Sequence, residues 1–353
     1  MIITRTPFRI SFFGGGTDYP NWYLDNGGCV LSTSIDKYCY LSVRYLPKVF
    51  EKKHRFVYSK IEKCQHNHEI QHPAIRECLK YLNFSNGLEI FHQGDLPARS
   101  GMATSSAYVV GLLNALYSLL GIYKNKNDLF LEAIHIEQNL MNENVGSQDQ
   151  VATTVGGLNY LEFQKSGNII VNPLPLLTKR KNELNSNLHL FYTGIQRNSG
   201  DFSKQYIKNL KQKRRQLRLL KEFVKEGVDI LSSTNILEDF GHLLHENWLI
   251  KKTISECISN KNIDSKYLSA LEAGAIGGKM LGAGGGGFLL LYITPDKLND
   301  VKLALNDYKH VPFEIENEGT KILYHLPCAE VDSVKMGNSV ANNYKKEFCI
   351  HAK

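Results

Sequence analysis

At 353 residues the chain is long enough for two domains of ordinary size, and 42% hydrophobic and 22% charged residues are typical of a soluble globular protein. We find no run of 18 apolar residues and no signal-peptide pattern at the N-terminus, which argues against a membrane span and against secretion. The seven cysteines are scattered and odd in number, so we expect reduced thiols and a cytoplasmic protein.

Strands and helices alternate irregularly along the chain, which predicts an α+β fold rather than a regular βαβ array. β-branched and aromatic residues predict a strand over 28–46, and a strongly apolar stretch predicts a helix over 105–122. A second helix is predicted over 127–143. Two shorter apolar runs, at 157–163 and 187–194, predict further strands.

The polar segment 177–187 lies between the last two predicted strands, and we interpret it as the linker between two domains. Three helices and a buried strand are expected after it, near 203–226, 235–259, 264–278 and 287–293.

The net charge of +7 raises the question of a nucleic-acid partner. Much of the excess lies in 204–227, where apolar residues recur at helical spacing and the outer face is basic. Charge runs of this kind are usually solvated helix faces, so we expect no nucleic-acid and no membrane partner. A partner-binding or membrane-surface role for this face stays open as the alternative.

Three clusters of glycine and other small residues interrupt the predicted elements. They read GGGTD at 14–18, GMATSS at 101–106 and GAGGGG at 282–287. The second cluster directly precedes the apolar helix, where backbone N–H groups and the positive end of the helix dipole favour an anion. An ordinary helix cap or a tight turn is the structural alternative.

The common nucleotide-binding signatures do not fit these clusters. Lys279 is followed by Met280, where a P-loop needs Ser or Thr. The glycines at 14–16 lead into an Asp-Tyr-Pro sequence rather than opening an apolar helix, as a Rossmann fingerprint would. The tripeptide DFG at 239–241 lies in a helical pattern and lacks the catalytic-loop motif of protein kinases.

Two carboxylates are candidates for catalysis or metal binding beside the small-residue clusters. Glu137 lies in an apolar-periodic helix, and Asp149 follows in the sequence NVGSQDQ. Mg²⁺ takes carboxylate and hydroxyl oxygens, and phosphoryl transfer needs such a cation, an acceptor for the nucleophile's proton and N–H groups around the phosphates. Together these features favour phosphoryl transfer.

In this order the three clusters resemble the motifs of the GHMP small-molecule kinases, named for galactokinase, homoserine kinase, mevalonate kinase and phosphomevalonate kinase. The sequences at 5–19, 97–107 and 279–287 are similar to the first, second and third motifs of that family. The resemblance spans nearly the whole chain. It implies two α+β domains with the site between them, which we place at 1–185 and 186–353. The first would be like the second domain of ribosomal protein S5, and the second would be ferredoxin-like.

The resemblance also implies the roles of individual residues. Asp149 would accept the proton of the substrate hydroxyl or act as an electrostatic and orienting group, and Arg9 would stabilise the transferring phosphoryl group. Ser105 and Glu137 would hold Mg²⁺. The loop that wraps the triphosphate of ATP would consist of Gly101, Met102, Ala103, Thr104, Ser105 and Ser106.

The first motif would line the sugar side of the site, together with part of the third. The residues concerned are Gly15, Gly16, Thr17, Asp18, Gly284 and Gly285. A phosphate already present on the substrate needs cations, for which the family motifs offer no direct match. Three basic residues are candidates: Arg197, Lys37 and Arg99.

Within the family, the stretches 14–18, 72–82, 143–150 and 240–248 look most like kinases that act on a seven-carbon sugar phosphate, with fucokinase domains next. This implies a sugar-phosphate 1-kinase that uses ATP and serves the synthesis of nucleotide-activated heptose for surface polysaccharide. A kinase for another hydroxyl compound, such as fucose or an isoprenoid precursor, is one alternative, and a non-catalytic sugar-binding relative is another. The oligomeric state stays open.

Overall fold

The computed structural model describes residues 1–195, 212–234 and 236–326. Its strands are β1 (Ile2–Phe13), β2 (Gly28–Tyr45), β3 (His54–Val57), β4 (Ile61–Cys64), β5 (Leu88–Gly94), β6 (Leu158–Phe163), β7 (Ile169–Pro173), β8 (Leu188–Tyr192), β9 (Gly277–Met280), β10 (Phe288–Tyr292), β11 (Lys309–Val311), β12 (Ile315–Glu316) and β13 (Lys321–His325).

Helices cover much of the remaining described chain. The α-helices are α1 (Pro20–Asn26), α2 (Pro73–Tyr81), α3 (Thr104–Leu119), α4 (Lys126–His135), α5 (Gln148–Val155), α6 (Thr178–Asn187), α7 (Arg214–Ser232), α8 (Glu238–Lys252), α9 (Lys261–Glu272) and α10 (Leu298–Ala304). Short 3₁₀ turns occur at Asn67–Glu69 and Glu256–Ile258, and a π-helical turn continues α4 over Ile136–Leu140. No helix in the described ranges is long and apolar enough to cross a membrane.

The first sheet is organised around the 18-residue strand β2. Along one side β2 pairs antiparallel with β1, from Val43 opposite Ile2 to Leu31 opposite Phe13. Its first half also pairs with β6 and its second half with β5, so the sheet divides into two branches. The first eight residues of β2, 28–35, are all buried, which explains their unbroken run of apolar and small residues, because strands covered on both faces lose the alternation of half-exposed ones.

The chain returns to this first sheet near its described C-terminal end. Strand β12 pairs with β2, and β13 pairs with β1 at the sheet edge. The predicted boundary between 185 and 186 stays a prediction, but these two short strands join the sheet built by the N-terminal part.

The second sheet has four antiparallel strands in the order β11-β8-β10-β9. Taken in chain order these are strands 4-1-3-2 of a ferredoxin-like arrangement, with helices between β8 and β9 and one helix before β11. Helix α8 packs on β9 and β10, and its Trp248 is fully buried. The expected α+β fold with a ferredoxin-like second part is confirmed.

Helices α3 and α7 pack on the first sheet, and α7 also contacts the helix that covers the second sheet. Helix α3 packs on β1 and β2, and Gly111 permits the approach because a Cβ there would lie 2.8 Å from the Thr6 hydroxyl. Helix α7 contacts both strands and also α8, and a Cβ at Gly227 would lie 2.7 Å from the ring of Phe13. Close helix packing therefore fixes the end of β1 relative to both sheets.

Most of the predicted elements are found in the structure, including the strand at 28–46 and the helix at 105–122. The segment 177–187, which we interpret as the linker, contains helix α6, which buries Leu184 and packs on β8; its role as the domain boundary stays a prediction. The helix expected to reach 278 ends at Glu272, because Gly274 takes a positive φ and β9 begins at Gly277. The start of the predicted basic helix lies partly outside the described residues.

Candidate active site

A cleft opens where the C-terminal end of β1 meets three loops and the end of α8. The loops are 99–106, which includes the first residues of α3, 143–149, which includes the first residues of α5, and 282–283, which follows β9. The predicted residues that line the cleft are Arg9, Gly15, Gly16, Asp18, Arg99, Gly101, Ala103, Thr104, Ser105, Ser106 and Asp149. Both sheets contribute, so the cleft lies between the two parts of the chain, as the resemblance implies.

Arg9 and Asp149 form a direct ion pair across the cleft. Arg9 is carried by β1 and its side chain is 3% exposed, while Asp149, in the first turn of α5, is 27% exposed. The guanidinium donates to an Asp149 carboxylate oxygen and, at 3.4 Å, to the Gly101 carbonyl. The pair therefore places a buried cation and a solvent-accessible carboxylate beside each other, at the edge of loop 99–106.

Loop 99–106 has the backbone geometry of an anion site. Arg99 and Ala103 adopt left-handed backbone conformations, with φ of 60° and 62°, which residues other than glycine rarely take. Ala103 is the N-cap of α3, and no side chain caps the helix among the described residues. The N–H groups of the first turn are thus left for a ligand, and the helix dipole favours negative charge there.

Glu137 lies directly behind loop 99–106, which the family resemblance makes the phosphate loop, and is fully buried. Its carboxylate accepts hydrogen bonds from Ser105 at 2.9 Å and Ser106 at 2.7 Å, and from the side chain of Gln150. Burial raises the pKa of Glu137 to about 7, although these donors act in the opposite direction. The π-helical turn around Glu137 is the kind of irregularity that often accompanies functional sites.

Asp18 lines the cleft on the side of the first motif and is 1% exposed. Its carboxylate accepts from the backbone N–H of Gly16 at 2.8 Å and of Gln148 at 3.3 Å. Burial, followed by the charge of Asp149, raises the pKa of Asp18. Gly146 is required beside it, because a Cβ there would lie 1.9 Å from an Asp18 oxygen.

Three predicted residues support the site from behind rather than facing the cleft. The Thr17 hydroxyl lies within hydrogen-bond distance of the carbonyls of Gly14 and Cys29, between which it shares its one proton, and it accepts from the Cys29 N–H, so its capacity is used inside the turn. Met102 is fully buried, and its carbonyl accepts from the Arg9 N–H. Glu137 reaches the cleft only through the two serine hydroxyls.

The third glycine cluster packs backbone against backbone. A Cβ at Gly284 would lie 2.4 Å from the Ile258 carbonyl, and one at Gly287 would lie 2.2 Å from the Ser100 carbonyl. The Gly285 N–H donates to the Ile258 carbonyl at 2.7 Å. The cleft is lined instead by Gly282 and Ala283, so Gly284 and Gly285 hold the loop in place rather than face the substrate.

The basic residues predicted for a substrate phosphate fall in three different places. Arg99 is exposed and lines the cleft as the first residue of loop 99–106. Lys37 is not among the cleft residues, and its ammonium pairs with the carboxylate of the adjacent Asp36 at 2.9 Å. Arg197 lies outside the described residues.

Sequence reasoning missed several residues that line the cleft. Two are lysines: Lys251 at the end of α8 and Lys279 in β9. Two are polar residues of the first-motif side, Ser11 and Gln148, whose buried side-chain oxygens have no hydrogen-bond partner among the described residues. Ser11 follows Arg9 by two residues, and this period of a strand is the signal that could have found it.

Family comparisons agree with the geometry. The GHMP kinases N terminal domain matches residues 69–157, and the GHMP kinases C terminal domain matches residues 230–310. The chain is 31% identical over 339 residues to a D-glycero-alpha-D-manno-heptose 7-phosphate kinase from Campylobacter jejuni, covering 91% of this chain and 98% of that protein. It is 23% identical to an L-fucokinase/L-fucose-1-P guanylyltransferase from Bacteroides fragilis, over 81% of this chain and 34% of that longer protein.

Solved structures show the same fold. A D-glycero-D-manno-heptose 1-phosphate kinase from Bacteroides thetaiotaomicron superposes with a TM-score of 0.70 at 23% identity, covering 92% of this chain and all of that one. The galactokinase of Lactococcus lactis, complexed with galactose, superposes with a TM-score of 0.72 at 18% identity, covering 91% of this chain and 94% of that one.

Gly287→Ala tests the contact between the third glycine cluster and the phosphate loop. The added methyl would clash with the Ser100 carbonyl, so we expect a stability loss of about 1–3 kcal/mol and a several-fold higher KM for ATP. Gly121→Ala is the matched control, since its φ of 71° is also positive but no atom lies within 4 Å of the new Cβ. Equal effects of the two variants on the KM for ATP would contradict this role of the contact.

Glu137→Gln tests the buried carboxyl through the pH dependence of folding without Mg²⁺. Since the folded pKa, about 7, lies above the unfolded value, the folded protein binds more protons between those values. The wild type should therefore lose stability as pH rises from about 4.5 to about 7, by on the order of a few kcal/mol, and the variant should lack this slope.

Urea unfolding in EDTA at pH 5 and pH 8 measures this difference. Glu222→Gln, at an exposed position of α7, serves as the control and should follow the wild type. Parallel profiles for wild type and Glu137→Gln would show that the carboxyl is not destabilised by burial.

Proposed function

Because this chain belongs to the GHMP kinases, as a sugar kinase that transfers phosphoryl groups from ATP to a hydroxyl, we propose that its acceptor is the anomeric hydroxyl of D-glycero-D-manno-heptose 7-phosphate. The product would be the 1,7-bisphosphate. The likeness to the Campylobacter enzyme over nearly the full length of both chains supports this choice of sugar. The proposal includes a cytoplasmic enzyme whose product serves the synthesis of nucleotide-activated heptose for surface polysaccharide.

The observation that carries the kinase chemistry is the Arg9–Asp149 pair beside the uncapped start of α3. A triphosphate at loop 99–106 would meet backbone N–H groups and the positive end of the helix dipole. Its terminal phosphate would then lie toward Arg9, since the guanidinium also contacts the Gly101 carbonyl of this loop. The accessible carboxylate of Asp149 is left to meet the acceptor hydroxyl.

Phosphoryl transfer in this arrangement is a single displacement. The sugar oxygen forms a bond to the γ-phosphorus of ATP as the bond from that phosphorus to the bridging oxygen of ADP breaks. The hydroxyl proton passes to the Asp149 carboxylate. Arg9 stays charged throughout and stabilises the negative charge on the transferring group, which preorganised donors do best in a site shielded from water.

Ser105 and Glu137 are the residues that would hold Mg²⁺, and the structure fits this role. A hydroxyl and a carboxylate supply the hard oxygen ligands that Mg²⁺ prefers. Burial raises the pKa of the Glu137 carboxyl to about 7, and no protein cation pairs with it at contact distance among the described residues. When bound, the ion would neutralise charge on the phosphates of ATP.

The sugar would lie against the first-motif side of the cleft. Gly15 and Gly16 leave room there, because the nearest atoms to a Cβ at Gly15 are polar side-chain atoms at 3.6 Å. The Asp18 carboxylate and the partnerless oxygens of Ser11 and Gln148 offer hydrogen bonds to hydroxyl groups. Buried polar groups without partners are rare in folded proteins, so a ligand rich in hydroxyls is their expected partner.

A panel of sugars with ATP tests the choice of substrate. We expect D-glycero-D-manno-heptose 7-phosphate to give the highest kcat/KM, with ADP and a 1,7-bisphosphate as products by mass spectrometry. Fucose, galactose and mevalonate are the competing acceptors from the families of similar proteins. A higher kcat/KM for any of these would overturn the assignment of the sugar.

Asp149→Asn tests the acceptor of the proton. We expect the variant to fold and to bind ATP but to lose turnover by 10²–10⁴-fold, the usual contribution of a general acid–base group. Asp300→Asn is a matched control, because Asp300 also lies in the first turn of a helix, α10, but at an exposed position away from the cleft. Turnover of Asp149→Asn within about threefold of wild type would remove this carboxylate from the mechanism.

A further inference from the structure

Lys279 is a buried lysine without an acidic partner. It lies in β9 and is 2% exposed, yet it lines the cleft. Its ammonium donates to the carbonyls of Ser11 at 2.9 Å and Phe12 at 2.5 Å. Within the described residues no carboxylate lies within ion-pair distance of it. A buried charge that is not paired is costly, so proteins usually keep one only where a ligand supplies the opposite charge.

Other positive charges surround this lysine. The pKa of Lys279 is well below its usual value, first because of burial and then because of the charges of Lys251 and Arg9. Lys251 approaches from the end of α8 and donates to the Gly282 carbonyl at 2.5 Å. An anion that binds beside these two lysines and the arginine would reduce the repulsion among their positive charges.

The geometry leaves Lys279 able to bind that anion. An ammonium has three N–H donors, and the two carbonyls of β1 use two of them. The same two hydrogen bonds fix the position of the side chain. A positioned ammonium loses little side-chain entropy when it binds a ligand, which favours tight binding.

The position of Lys279 separates it from the reacting centre. Its ammonium is tied to the backbone of Ser11 and Phe12, two to three residues beyond Arg9, which is about 7–10 Å along the strand. Arg9 and Asp149 mark where the acceptor hydroxyl would react. A sugar with that hydroxyl at one end and a phosphorylated carbon at the other has a comparable length.

We propose that Lys279, assisted by Lys251, binds the phosphate that the sugar already carries and so makes the enzyme selective for phosphorylated sugars. The inference rests on the proposed function for the acceptor being a sugar phosphate. It replaces Lys37, which does not line the cleft, as a candidate for this role.

Lys279→Met and Lys251→Met test the proposal, since methionine keeps an unbranched side chain and removes the charge. Lys252→Met is the matched control, because Lys252 is the neighbour of Lys251 in α8 and pairs with Asp264 instead. For each protein we would measure kcat/KM with the heptose 7-phosphate and with the unphosphorylated heptose, the KM for ATP and the melting temperature.

We expect the wild type to prefer the phosphorylated sugar, and each test variant to lose this preference by about tenfold or more, as one charged hydrogen bond predicts. The KM for ATP and the Lys252→Met variant should stay near wild type. Equal losses for both sugars, or a rise in the KM for ATP of the same size, would overturn the proposal in favour of a structural or ATP-binding role. The two independent variants guard against one that fails to fold.

The failure of the proposed function gives a different result. If the wild type phosphorylates neither sugar, calorimetry with inorganic phosphate in the presence of saturating ADP still measures the anion site. Binding to the wild type and to Lys252→Met, but not to the two test variants, would support the phosphate site. No binding to the wild type, or equal binding to all four proteins, would overturn it.

Discussion

The guanidinium of Arg9 joins three segments that lie far apart in the sequence. It extends from β1, contacts the Gly101 carbonyl of the phosphate loop and pairs with Asp149 at the start of α5. Because this cation is 3% exposed, it is stable only while both partners stay in place. The same contacts that satisfy the buried charge therefore set the positions of loop 99–106 and of Asp149, the proposed proton acceptor.

Three ionisable side chains near this pair have charged forms that are less stable in the folded protein than in water. Burial raises the pKa of Glu137 and of Asp18 and lowers that of Lys279. Each shift means that the charged form costs free energy in the folded chain. A cation bound at Glu137 and an anion bound at Lys279, as we propose, would recover that free energy, and the chain would then have lower stability in exchange for affinity. Such a trade is common in active sites.

The sequence predicts the elements with strong local patterns. The long buried strand β2 and the apolar helix α3 are found close to their predicted positions, and so are most motif residues of the cleft. Pairings between distant segments have no local pattern, which is why the return of β13 to β1 was not predicted. The burial of Lys279 was missed for a related reason: lysine is almost always exposed, and only the packing of β9 against the end of β1 places it inside.

Some glycines of the three clusters permit close packing and others line the cleft, and the sequence pattern alone does not separate the two kinds. Gly14 has a positive φ, and a Cβ there would lie 2.0 Å from the Cys29 carbonyl, so this glycine permits the turn to approach β2. Its neighbour Gly15 faces the cleft, where a Cβ would meet only ordinary contacts at 3.6 Å. Substitution at Gly14 would therefore act on the fold, and substitution at Gly15 on the volume of the cleft. A side chain at Gly15 would narrow the cleft without changing the turn that holds it.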